Sequence, residues 1–236
     1  MRLQLYYPVK PFHINQHFGA NEPCVKDFGL PNQTVITPPG PLFTCPTGYD
    51  KLYSHWGMAG HNGTDLMAGI QKVYAAADGV VIEKQVVPSR GLGLGILTNE
   101  PVDLDEHGTH FIKIRYWHLK SFNVEVGDSV KAGQLIGVSD STGYSSGNHL
   151  HFEGQPMDKD AGGHPYIALS DSGSSVIANA IDIEPFFNGM YAEDIDKTLK
   201  GSDQIAVFAA KKQATGDAKS ANILYALAAM LRTFGL

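Results

Sequence analysis

Alternation of apolar and polar positions dominates the middle of this chain. From His110 to His118, Phe111, Lys113, Arg115 and Trp117 fall on one parity and Ile112, Ile114, Tyr116 and His118 on the other. Side chains two apart on a strand share a face, so the segment predicts a half-buried β-strand with His118 on the Tyr116 face. Val73 to Ala76 and Gly79 to Val87 read as further strands, and Val124 to Val138 as strand, Gly-Asp turn, strand. Gly91-Leu92-Gly93-Leu94-Gly95 reads as a glycine-dense turn into Ile96-Leu97-Thr98. It is no phosphate loop, because no Lys-Ser/Thr follows and no helical pattern opens there. His149 to Glu153 predicts a strand with His149, His151 and Glu153 on one face and Leu150 and Phe152 on the other. Ile181 to Phe187 reads as a short closing segment.

The pattern breaks elsewhere. Residues 20–56 carry Pro23, Pro31, Pro38, Pro39, Pro41 and Pro46 with several glycines, and read as a long loop insertion. Residues 155–180 read as a second one, rich in Gly, Ser and Asp. From about Asp203 the residues favour helix, and Ile223, Leu224, Leu227, Met230, Leu231 and Phe234 recur at helical spacing. That apolar stripe is expected to pack on the β domain or on a second copy, so self-association through the tail is one reading. A helix on the wall or on a membrane surface is the other, with only Arg232 supplying positive charge beside the stripe. The expected organisation is one mainly antiparallel β domain over residues 1–190, with a core at 57–154, and a helical tail over 191–236.

Composition narrows the function classes. The 236 residues hold 26 Gly and 13 Pro, which favours short strands and turns, and 43% apolar residues, ample for a core. A net charge of -6 without a Lys/Arg stripe argues against nucleic acid as a partner. No apolar run is long enough for a membrane span. The start, Met1 to Pro8, lacks the basic region, apolar run and cleavage site of a signal peptide. Cys24 and Cys45 do not have the spacing of a metal knuckle, and two cysteines alone leave both the compartment and a disulfide open.

The chemistry gathers in two segments, His61-Asn62-Gly63-Thr64-Asp65 and His149-Leu150-His151-Phe152-Glu153. Two imidazoles and a carboxylate form the ligand set of a catalytic zinc site that keeps a fourth position for water. One His is then left beside the metal, where it suits a general base or a stabiliser of the transition state. The residues alone leave open whether His149 or His151 is the ligand. His13, His17, His55, His107, His110 and His164 are not expected to be ligands, although His55 and Trp56 stand near His61 as candidate substrate contacts. Tyr116, Trp117 and Tyr144 are candidates for a groove or, as strand aromatics more often are, for the core.

Four segments occur in order: His61 to Asp65, Tyr116-Trp117-His118-Leu119, the turn Val126-Gly127-Asp128-Ser129-Val130-Lys131-Ala132-Gly133-Gln134-Leu135-Ile136-Gly137, and Ser141-Thr142-Gly143 leading to His149–Glu153. This set resembles the lysostaphin/LytM-type zinc endopeptidases, which cut peptide bonds in bacterial peptidoglycan. The resemblance is dense over 57–154, with weaker echoes at Gln16–Gly19 and Ile181–Phe187. It implies an antiparallel sheet with a groove walled by loops, one Zn2+ per chain on His61, Asp65 and His151, catalytic imidazoles at His118 and His149, and peptidoglycan as partner. It also implies action on the cell wall, and the acidic chain without a signal-peptide pattern suits a phage endolysin freed from the host cytoplasm or a virion-borne protein. No HExxH helix supplies an adjacent glutamate base. Glu153 is a candidate for orienting a ligand, with a strand-end role equally open.

The segment between Gly19 and His61 and the loop after Glu153 are longer than the family pattern, and Trp117 replaces a small residue. These departures leave the choice of bond open. Two other functions compete with this one: a non-catalytic relative that binds walls or activates another hydrolase, and a lipoyl- or biotinyl-like carrier barrel. The first would have lost metal ligands, and the second leaves the histidines unexplained and needs Lys131 at a hairpin tip.

Overall fold

The structure is a computed structural model that describes residues 1–19, 60–66, 68–145, 147–170 and 175–195. The expected insertion at 20–56, with Cys24, Cys45, His55 and Trp56, and the expected helical tail beyond residue 195 lie outside the described residues. Thirteen strands are described: β1 (Leu5–Tyr7), β2 (Ile14–Gln16), β3 (Thr64–Leu66), β4 (Lys72–Tyr74), β5 (Gly79–Val87), β6 (Gly91–Thr98), β7 (Val102–Asp103), β8 (Thr109–Phe122), β9 (Ser129–Val130), β10 (Leu135–Ser139), β11 (Leu150–Lys159), β12 (Pro165–Ile167) and β13 (Phe187–Tyr191). Short 3-10 turns are described at Asp105–His107, Glu184–Phe186 and Ala192–Asp194. Met1–Ala192 form one compact unit, and a second begins at Glu193.

The main sheet runs in the order β2-β3-β11-β8-β6-β5-β9, with β10, β12, β4 and β7 attached beside this path. Its pairs are antiparallel, whereas β1 and β13 form a separate parallel pair. The architecture is thus mainly antiparallel β, as the alternation predicted. Its core lies on one face of the long strands. Ile112, Ile114 and Tyr116 of β8 and Leu150 and Phe152 of β11 are at most 1% exposed, and Leu66, Leu94 and Ile96 pack with them. Each such side chain contributes roughly 1.5–3 kcal/mol by leaving water. The opposite face of β8 and β11 carries Lys113, Arg115, Trp117, His151, Glu153 and Gln155, paired across the strands as His151 with Trp117, Glu153 with Arg115 and Gln155 with Lys113.

Four expectations are corrected. Gly91–Thr98 is one continuous strand rather than a turn leading into one. Its glycines are needed because partners lie directly over them: a Cβ on Gly93 would stand 2.5 Å from the Trp117 ring. The stretch expected to loop from residue 155 instead continues β11 to Lys159 and returns as β12. Between Val124 and the Gly127-Asp128 turn no strand is described, and pairing resumes only at Ser129–Val130. The fourth concerns His118, which does not share the Tyr116 face.

The parity of β8 breaks at that residue. Leu94 pairs with Tyr116, but Leu92 pairs with Leu119, so Trp117 and His118 together oppose Gly93. This is a one-residue β-bulge, and His118 carries a left-handed φ of 62°. Such a φ is uncommon for a residue with a Cβ and persists only where surrounding bonds hold it. At the same point β8 changes partner: residues up to Trp117 pair with β11, and Leu119 onward pair with β10. Leu119 then takes the buried position that simple alternation assigned to His118.

Candidate metal centre

Strand register builds the centre. On adjacent antiparallel strands Asp65 of β3 stands opposite His151 of β11, flanked by the buried pairs Leu66–Leu150 and Thr64–Phe152. Residues opposite each other have Cβ atoms roughly 4.5–5.5 Å apart, so both side chains reach one point above the sheet. The Asn62-Gly63 turn brings in His61. Only glycine fits at position 63, because a Cβ there would lie 2.8 Å from the His151 ring and from the Phe152 carbonyl oxygen.

His61 Nε2, Asp65 Oδ1 and His151 Nδ1 converge, with separations of 3.0 Å between the two nitrogens, 3.0 Å from His151 to Asp65 and 3.3 Å from His61 to Asp65. Among the described residues this is the group able to hold a metal ion. A tetrahedral ion bound at about 2.0–2.1 Å sets its ligand atoms roughly 3.3–3.4 Å apart, so the triangle fits one with little adjustment. His149 adds a third imidazole, its Nε2 3.5 Å from Asp65 Oδ1. The bulge turns His118 to the same place, and its ring lies 4.6 Å from that of His149 and 6.1 Å from that of His151.

Each of the four rings has its other nitrogen beside an oxygen acceptor. The His17 carbonyl accepts from His61 Nδ1 at 3.1 Å, and Glu153 Oε2 accepts from His151 Nε2 at 3.2 Å. The Thr142 carbonyl accepts from His118 Nδ1 at 2.7 Å, and the Gly147 carbonyl accepts from His149 Nδ1 at 2.8 Å. A carbonyl or carboxylate has no proton to give, so in each neutral ring the N–H faces outward and a lone pair faces inward. His151 thus presents Nδ1 to the centre, while the other three rings present Nε2.

The electrostatics favour a cation. Burial opposes ionisation of Asp65, but His61 and His149, with hydrogen bonds from His151 and His61, hold its carboxyl well below the usual range. Burial pushes the His151 imidazole down, yet Asp65 and Glu153 outweigh it and raise the ring to about 9. The same two carboxylates place negative charge beside the donor nitrogens, where a cation is favoured. The His118 ring is pushed to about 4 by burial and by the neighbouring rings of His149 and His151, so it is neutral at pH 7.

The supporting residues lie outside the motifs. Glu153, 1% exposed, accepts from Asn62 Nδ2 at 2.6 Å and pairs with Arg115. Arg115 in turn meets Glu83 at 3.1 Å and lies over the Trp117 ring. Burial would raise the Glu153 carboxyl, but His151 and Arg115 keep it low. Glu184 joins distant segments: it meets His17 Nδ1 at 2.6 Å, the Phe18 N–H at 3.2 Å and the Thr64 hydroxyl at 2.8 Å. The parity of Glu153 pointed to this role, but nothing in the sequence pairs residue 184 with residues 17 and 64. Trp117 is buried beneath Arg115 and against Gly93, so it belongs to the sheet's packing rather than to an open groove wall. Tyr116 is in the core, and Tyr144 is 53% exposed.

An antiparallel β sheet here carries a His-Asp-His cluster that could hold a metal ion, with two further imidazoles beside it. Residues 59–161 match Peptidase family M23 and form a domain of that kind. Over 95 residues it is 41% identical to glycyl-glycine endopeptidase ALE-1 of Staphylococcus capitis, a match covering 39% of this chain and 24% of that protein. It is 38% identical over 97 residues to peptidoglycan DD-endopeptidase ShyA of Vibrio cholerae, covering 41% of this chain and 20% of that one. The chain therefore spans a quarter or less of these two relatives. Among solved structures, the catalytic domain of lysostaphin from Staphylococcus simulans is 33% identical with a TM-score of 0.40, over 54% of this chain and 79% of that one.

Proposed function

We propose that this chain is a zinc-dependent endopeptidase that hydrolyses peptide bonds in the stem peptides or cross-bridges of bacterial peptidoglycan. The observation that carries this reading is the convergence of three donor atoms and two further inward-facing imidazole nitrogens on one point. The names of its relatives, a glycyl-glycine endopeptidase and a peptidoglycan DD-endopeptidase, support the substrate class.

His61 Nε2, Asp65 Oδ1 and His151 Nδ1 are the proposed ligands. Two nitrogens and one oxygen suit zinc, and three protein ligands leave one position open. Zinc bound there supplies Lewis acidity toward a carbonyl and lowers the pKa of a bound water to about 7. His118 and His149 are the proposed catalytic imidazoles. Their Nδ1–H groups are committed to the Thr142 and Gly147 carbonyls, so each Nε2 lone pair is free to take a proton from the attacking water. A ring protonated in this way becomes an N–H donor. It can hydrogen-bond the developing oxyanion and hand the proton to the leaving amine.

The test is digestion of purified sacculi from several wall chemotypes by the zinc-loaded chain, with mass analysis of the released peptides. New amino termini within stem peptides or cross-bridges, lost on chelation and restored by zinc, are the expected result. Release that survives complete metal removal, or no peptide cleavage in any chemotype, would end this reading.

A further inference from the structure

The bulge at His118 leaves a gap in the sheet that another residue fills. Direct pairing of β6 and β8 is displaced by one residue between Leu94–Tyr116 and Leu92–Leu119. The Thr142 hydroxyl sits in that displacement. It accepts from the Leu92 N–H at 3.1 Å and donates to the Leu119 carbonyl at 2.8 Å, joining the two strands at the first pair past the bulge. The carbonyl of the same residue accepts from His118 Nδ1 at 2.7 Å. Neighbouring contacts hold Thr142 close: a Cβ on Gly91 would lie 2.3 Å from the Thr142 carbonyl oxygen, and the Tyr144 N–H donates to the Ser89 carbonyl at 3.1 Å.

We propose that Thr142 is the positioning residue for His118. Its side chain locks the bulge that gives His118 a left-handed φ, and its main chain fixes the ring tautomer, so one residue sets both the direction of the ring and the nitrogen it presents. The proposal rests on the reading of His118 as a catalytic imidazole. Among the described residues Thr142 bonds to Leu92, His118 and Leu119 and to none of the donor triangle, so its route to the site is through His118. His149 is held by a different part of the same loop, the Gly147 carbonyl with Ser145 Oγ 3.2 Å from its Nδ1.

The experiment uses the zinc-loaded full chain with soluble cross-linked muropeptides as substrate. Thr142→Val keeps the shape and removes the hydroxyl, Thr142→Ser keeps the hydroxyl, and His118→Ala sets the floor. Thr142→Val should lower kcat on the order of 10²-fold, the scale of a misplaced catalytic group, with KM and zinc content unchanged. Thr142→Ser should restore most of the rate. A folded Thr142→Val with wild-type kcat beside a crippled His118→Ala would overturn the proposal and leave the functional reading standing. Equal losses in Thr142→Val and Thr142→Ser would also overturn it. An unimpaired His118→Ala would instead overturn the catalytic role of His118. A second measurement needs no variant to fold and no turnover: ring-nitrogen NMR of the wild-type chain should show His118 protonated on Nδ1. A proton on Nε2 would overturn the proposal.

Discussion

The donor triangle and the further pair of imidazoles, His118 and His149, occupy one site but are held by different means. Asp65 and His151 are directly opposed on neighbouring strands, and the buried pairs on either side fix that register. A slip of one residue would bury both donors and expose Leu66, Leu150 and Phe152, so hydrophobic burial itself guards the metal geometry. His118 and His149 sit where regular pairing ends. One is at a bulge where β8 changes partner, and the other is joined to Asp140 by an isolated bridge just before β11. Both are tied to the loop carrying Thr142, Ser145 and Gly147. The proposed metal ligands Asp65 and His151 thus sit in regularly paired strands, and the proposed catalytic imidazoles sit where that pairing ends.

The largest effect that would sharpen this contrast is loss of the metal. Asp65→Ala should abolish binding of about one zinc per chain and reduce peptide release to the level of chelated protein, since an open catalytic site needs all three ligands. Undiminished zinc at the site by elemental analysis would break the assignment. Next in size, His118→Ala and His149→Ala should keep their zinc and lose roughly two to four orders of magnitude in kcat, the scale of general acid–base groups. Should His149→Ala lose the metal while His151→Ala retains it, the two roles are exchanged.

Smaller still is the effect of the residues behind the ligands. Glu153→Gln preserves volume but removes the charge that His151 Nε2–H faces, and should weaken zinc binding about 10- to 100-fold in a competition titration. An unchanged affinity would mean that β-strand register alone orients His151.

The last effect is a pH dependence of the metal-free fold. His151 is raised to about 9 from an ordinary 6.5, so its contribution to stability is complete below about pH 6.5 and is lost as pH rises through about 9. His118 is depressed to about 4, so its contribution is lost as pH falls from about 6.5 toward 4. Chelated protein should thus be most resistant to urea near pH 6.5, and zinc, which needs deprotonated rings, should remove the decline on the alkaline side. A urea midpoint that rises steadily from pH 6 to 9 without metal would contradict the electrostatics of the donor triangle.

Much of this could be read in the chain, for identifiable reasons. The strand at His151, the shared side of His149, His151 and Glu153, and the grouping of His61 with Asp65 follow from period-two geometry and a turn dipeptide. Choosing His151 over His149 as a ligand came from family resemblance. Period-two counting puts His118 on the wrong side, because a bulge inserts one residue without altering residue types and the count carries straight through it. The glycines of β6 read as a turn because the sequence does not show the Trp117 ring that requires one of them. The roles of the His17 carbonyl, Glu184 and Thr142 were not legible, since main-chain acceptors and bonds between segments more than a hundred residues apart leave no local pattern.

The bonds of Glu184 bear on what counts as the working unit. The stretch that defines the family runs from 59 to 161, yet the acceptor that orients His61 belongs to residue 17, and residue 184 ties that segment to Thr64. Grafting 59–161 into another protein would transfer every proposed ligand and leave behind what steadies the first of them. The smallest portable module therefore reaches from the strand before His17 to the turn that carries Glu184, and swaps between relatives are best cut outside both.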